Sequence, residues 1–68
     1  MKLKINGEER QFEGDFPETL SELLDKLDVE ASTVVAEVEG RIVERKDFEK
    51  ARLEDGQQIE LIRFVPGG

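Results

Sequence analysis

One run in the chain has helical spacing. Leu20, Leu23, Leu24 and Leu27 recur at i, i+3, i+4 and i+7, which lines a single side of a helix with apolar groups. Ser21, Glu22, Asp25, Lys26 and Asp28 occupy the wet sides. The run opens on Thr19-Leu20-Ser21-Glu22, the form of a capping box. The Thr19 hydroxyl is placed to accept an early helical N–H, and Glu22 to reach back. A helix with one apolar stripe needs one partner surface. The rest of the chain must supply it.

That surface reads as a sheet. Leu3 and Ile5 alternate with Lys2, Lys4 and Asn6, the period of a half-buried strand. Asn6-Gly7 follows, a strong hairpin signal because both residues accept positive φ. Glu9 to Glu13 is the return strand, with Phe12 as its core candidate, before Gly14 and Pro17 break the pattern. Thr33 to Glu39 is β-branched and puts Val34, Ala36 and Val38 on one face, with Val35 on the other. Glu39-Gly40 turns the chain into a short strand at Ile42 and Val43. Glu44 to Leu53 is charged, with Phe48, Ala51 and Leu53 as anchors, and reads as a short helical turn. Asp55-Gly56 leads into a last strand over 57–65. The order is β-β-α-β-β-β. One helix covers one face and leaves the other open. The simplest arrangement is an α+β, β-grasp domain, a mixed sheet of four to five strands with one main helix across one face. Its first and last strands are then central and parallel. The domain spans 1–65 and leaves 66–68 as a tail.

Composition removes several classes of function. The 68 residues include 10 basic and 17 acidic side chains, a net charge of −7. That excess argues against nucleic acid, which rewards clustered Lys and Arg, and against an anionic membrane surface. It suits a basic protein partner, and it equally serves to keep a small protein dispersed. Cys and His are both absent. No thiol is present to act as nucleophile or carry sulfur, and the usual general base and metal ligand are missing. No loop spaces its carboxylates like a calcium site, and no P-loop or Rossmann glycine pattern occurs, so no metal and no bound cofactor is expected. The first residues read as a strand rather than a signal peptide, and no run reaches the roughly 18 apolar residues of a membrane helix. The chain reads as cytoplasmic.

The chemistry is expected at Val65-Pro66-Gly67-Gly68. Pro66 ends the sheet ladder and biases Val65 toward extended backbone. Gly67 and Gly68 have no Cβ and fit a channel too narrow for side chains. Four residues beyond Phe64 span at most about 13–14 Å, enough to carry the Gly68 carboxylate into a partner's active site. A glycine-rich frayed end is the plainer reading of the same residues. Strand parity adds a docking surface. With Ile59 and Leu61 beneath the helix, Ile62 and Phe64 fall on the open face, and Val35 joins them. A β-bulge would instead shift the register and bury Phe64; the sequence leaves both open.

These features together resemble the ThiS family, the sulfur carriers of thiamine thiazole synthesis, which are ubiquitin-like. The resemblance runs through Ile5-Asn6-Gly7-Glu8, Thr19-Leu20-Ser21-Glu22-Leu23-Leu24, Val34-Val35-Ala36-Glu37-Val38-Glu39-Gly40, Ile42-Val43, Asp55-Gly56 and Gly67-Gly68. The short chain is closer to that family than to MoaD, the molybdopterin synthase small subunit. The resemblance implies that an E1-like adenylyltransferase of the ThiF type uses ATP and Mg²⁺ to adenylate the Gly68 carboxylate. A sulfur donor enzyme then yields a thiocarboxylate, and a thiazole synthase of the ThiG type takes the sulfur. The carrier itself is then not an enzyme. A carrier for another product (molybdopterin or cysteine), a ubiquitin-like protein modifier and a plain interaction module remain open. Pro66 departs from the family pattern, in which a small residue or glycine commonly precedes the paired glycines.

Overall fold

The computed structural model describes residues 1–64. Five strands form one sheet: β1 (Lys2–Ile5), β2 (Glu8–Gln11), β3 (Val34–Val38), β4 (Arg41–Val43) and β5 (Gln58–Arg63), with the helix α1 (Leu20–Lys26) between β2 and β3. The order across the sheet is β2-β1-β5-β3-β4. β1 and β5 run parallel, with Ile5 opposite Ile59. The remaining pairs are antiparallel. This is the β-grasp arrangement expected from the residues. The strand expected over 57–65 is Gln58–Arg63 in the structure; Val65 and the tail 66–68 lie outside the described residues.

The turns follow the backbone preferences of their residues. Asn6 and Gly7 take φ of 51° and 83°, the left-handed pair that matches the twist of a tight hairpin. Glu39 and Gly40 repeat the device at 52° and 80° and connect β3 to β4.

Both ends of α1 are capped by hydrogen bonds. An α-helix leaves its first four N–H groups without internal partners. Here Leu20 N–H donates to Ala51 C=O (2.9 Å) and Ser21 N–H to Phe48 C=O (3.0 Å). Glu22 N–H donates to Thr19 Oγ1 at 3.2 Å, and the helix's own bonds begin with Leu23 N–H to Thr19 C=O at 3.0 Å. The Glu22 carboxylate reaches back one residue beyond the cap, accepting from Glu18 N–H at 3.2 Å. The charged segment after β4 therefore forms more than a helical turn (Arg45–Asp47). Its following residues close the helix N-terminus. At the other end Val29 N–H donates to Leu24 C=O and Asp28 N–H to Asp25 C=O, a Schellman closure with Asp28 at φ 59° where glycine is usual. Thr19→Ala is expected to cost about 1 kcal/mol, read as a lowered urea midpoint with an unchanged slope.

The core lies between α1 and one face of the sheet. Leu3, Leu20, Leu23, Leu24, Ala36 and Ile59 are fully enclosed, and Phe48 and Leu53 close the edge. Burying each Leu or Ile stabilises by roughly 1.5–3 kcal/mol. Two expectations change here: the return strand expected over Glu9 to Glu13 is Glu8–Gln11, and its core candidate Phe12 is not among the enclosed residues. Every residue of β2 is exposed, and Phe12, just beyond it, is only half-buried. β2 is an edge strand. Phe12 instead meets Phe16 edge-on, with ring centres 5.9 Å apart, and this pair packs at the margin of the core.

Candidate functional site

The last strand has two faces with different environments. Ile59 is fully enclosed and Leu61 half-buried on the helix side. Ile62 faces away and is 51% exposed, and Phe64, at the end of the strand, is 44% exposed. No bulge interrupts the register, which pairs Val34 with Arg63, Val35 with Ile62, Ala36 with Leu61, Glu37 with Glu60 and Val38 with Ile59. Val35 is 39% exposed, and it lies directly across from Ile62, so the two share the open face. Of the two alternatives for Phe64, the structure takes the exposed one. The three apolar candidates Val35, Ile62 and Phe64 come together at the end of β5 that leads into the tail. Pro66, Gly67 and Gly68 lie outside the described residues.

Two further features were not anticipated. Ile42 on β4 stands opposite Glu37 and is 69% exposed, which widens the apolar surface across a third strand. Its pattern was legible, since Val43 beside it points inward, but its face depends on the β3–β4 register. The second feature is Asn6. Its Nδ2 donates to Leu61 C=O at 3.3 Å, and its Oδ1 accepts from Leu61 N–H at 2.7 Å. On the far side of the strand, Phe64 N–H donates to Thr33 C=O at 2.9 Å. The strand end beside the tail is thus tied on both edges.

The open face carries charge around its apolar part. Glu37 and Glu60 face each other across β3 and β5, an unfavourable like-charge pair. Across β1 and β2 Lys4 stands opposite Glu9, whose carboxylate lies 3.9 Å from Lys2 Nζ. Among the described residues, no group of three or more His, Cys, Asp or Glu is placed to hold a metal ion. Among the same residues, no helix is long and apolar enough to cross a membrane. The arrangement suits a surface that is handled by another protein.

Known proteins share this sequence pattern and fold. The ThiS family model matches residues 3–68. A crystal structure of thiamine biosynthesis protein ThiS from Geobacter metallireducens is similar across the whole of both chains, with a TM-score of 0.85 and 33% identity. An NMR solution structure of a thiamine biosynthesis protein from the same organism gives a TM-score of 0.81 at 33% identity, covering all of this chain and 88% of that one. A thiazole synthase of Paramagnetospirillum magneticum is 37% identical over all 68 residues. The present chain spans only 20% of that protein's length. The family match covers nearly the whole sequence and the structural match the whole of both chains, and the chain belongs to the ThiS family of small sulfur carriers linked to thiamine biosynthesis.

Proposed function

We propose that the Gly68 carboxylate is the working group and that it becomes a thiocarboxylate. An E1-like enzyme of the ThiF type joins the carboxylate oxygen to the α-phosphorus of ATP·Mg²⁺ and releases pyrophosphate. The resulting acyl adenylate is electrophilic because AMP is a good leaving group. The terminal sulfur of a donor enzyme's persulfide attacks the acyl carbon, and AMP departs. A partner thiol then cleaves the acyl disulfide, leaving sulfur on Gly68 and a disulfide on the partner side. A thiazole synthase of the ThiG type accepts that sulfur. This chain supplies the acyl carbon, a side-chain-free approach and a docking face; ATP, Mg²⁺ and the reactive thiols belong to its partners, and the carrier performs no catalysis of its own.

The observation that carries this reading is the exposure of Val35, Ile62 and Phe64 at the root of the tail, in a chain whose family match runs to its final glycine. The likeness of this chain to part of a longer thiazole synthase supports a carrier and an acceptor that work together. The test is intact-mass measurement after incubation with a ThiF-type enzyme, ATP, Mg²⁺ and a sulfur donor. The expected product is heavier by the exchange of one oxygen for one sulfur. Gly-Gly remnants on lysines of other proteins, with no such exchange, would mark a protein modifier instead.

The docking face makes its own prediction. Phe64→Asp places a charge in the apolar patch and is expected to weaken binding of the activating enzyme by 2 kcal/mol or more, the scale of a central interface residue. Surface substitutions change stability by only about 0.5 kcal/mol, so its melting temperature should stay close to that of the parent. Calorimetric titration and a thermal melt read the two quantities separately.

A further inference from the structure

β1 ends at Ile5, but β5 continues to Arg63. The parallel register sets Lys4 against Gln58 and Ile5 against Ile59. Main-chain bonds run along this seam from Lys4 N–H to Gln57 C=O and from Asn6 N–H to Ile59 C=O, each at 2.9 Å. In a longer parallel ladder the next carbonyl of β1 would accept from Leu61 N–H, and an N–H two residues further on would donate to Leu61 C=O. The chain has turned away by then, at Asn6-Gly7.

The Asn6 side chain fills the gap. Its amide has the same acceptor and donor as a peptide group, and it makes both missing bonds to Leu61. Few residues meet the combined demand. The position requires φ of 51°, which Asn tolerates. Asp lacks the donor, and Gly has no side chain. The requirement for Asn is therefore stronger than the hairpin alone imposes, since Gly would also serve the turn.

We propose that Asn6 is a positioning residue for loading of the carrier: its side chain extends the seam by one residue and so holds the end of β5, with Ile62 and the adjoining Phe64, in the form the activating enzyme binds. This rests on the function proposed above. Without the side chain, residues 61–64 would be held along one edge only, by β3. The strand end would then spend part of its time detached, and the docking face would be complete in only a fraction of the molecules.

Asn6→Gly tests this, because it retains positive φ at no steric cost and removes only the side chain. Two readouts are needed. Amide hydrogen exchange should accelerate at Leu61 while Leu23 and Leu24 in the helix keep their protection. The carrier KM for a ThiF-type enzyme should rise by the inverse of the competent fraction, about tenfold if one molecule in ten is competent, with kcat within about twofold. Asn6→Asp keeps the acceptor and loses the donor, so its KM should lie between the two; should Asn6→Gly not fold, Asn6→Asp carries the same comparison against the parent. Equal loss of protection throughout the sheet would reduce Asn6 to a general stabiliser and overturn the proposal. So would an unchanged KM with a parent protein that loads normally. If the parent itself is not loaded, the functional reading fails, and local exchange at Leu61 then decides the structural half alone.

Discussion

Adding one residue after Gly68 is expected to abolish conversion to the thiocarboxylate while leaving the domain folded. The added residue moves the carboxylate by roughly 3.5 Å and makes a different carbon the acyl centre. Positioning alone accounts for this severity, since a 1 Å displacement from the attack geometry costs about 100-fold. Deleting Gly67 and Gly68 is the complementary test. It withdraws the carboxylate by about 7 Å, beyond what a docked globule could recover. Core residues such as Leu3, Leu23 and Ile59 are untouched in both variants, so both should melt at the parental temperature. Intact mass after incubation with the activating enzyme, ATP and a sulfur donor gives the result directly. Parental loading of the extended chain would remove Gly68 from the proposed role.

The largest effect on stability is expected from Ile59→Ala. Ile59 is fully enclosed in the middle of β5, opposite Ile5 on one neighbour and Val38 on the other. Truncating a buried Ile to Ala costs about 2–5 kcal/mol. A domain of this size rarely holds more than about 3–5 kcal/mol in reserve from its core. A substantial unfolded population should therefore appear at 37 °C, with a melting temperature lowered by at least about 8 °C. Ile62→Ala, three residues later on the same strand, is the control. Its side chain is half out of the protein on the other face, and the expected loss is within about 1 kcal/mol. Comparable losses at the two positions would mean that the assigned faces of β5 are wrong.

What could be read directly from the residues was the locally determined part. The capping box, the Leu20–Leu27 stripe and the Asn6-Gly7 turn each depend on neighbours within a few positions. Strand faces were legible wherever alternation was clean, which is why Val35, Ile62 and Phe64 could be grouped before their pairing was known. Phe12 was over-read as core because nothing nearby in the sequence says that its strand lies at an edge. The choice between a buried and an exposed Phe64 needed the β3–β5 register. The Asn6 contact joins positions 55 apart in the chain, so local pattern could show only its turn role. The closure of α1 by Phe48 and Ala51 carbonyls was hidden for the same reason: a charged loop gives no sign of which helix end it will cover.

The parallel seam between β1 and β5 has a consequence for how the protein is made. The residues of β1 wait for a neighbour that is synthesised after every other strand of the sheet, and β3 needs that same strand as its partner. Such distant pairing delays folding until the closing entropy of the intervening chain has been overcome. On the ribosome, nothing emerging before β5 can complete the sheet, and the exposed strands must stay free of misassociation until it does. The strand that presents the docking face is then also the one whose arrival locks the fold, so a carrier cut short before it would offer neither a stable body nor a surface to recognise.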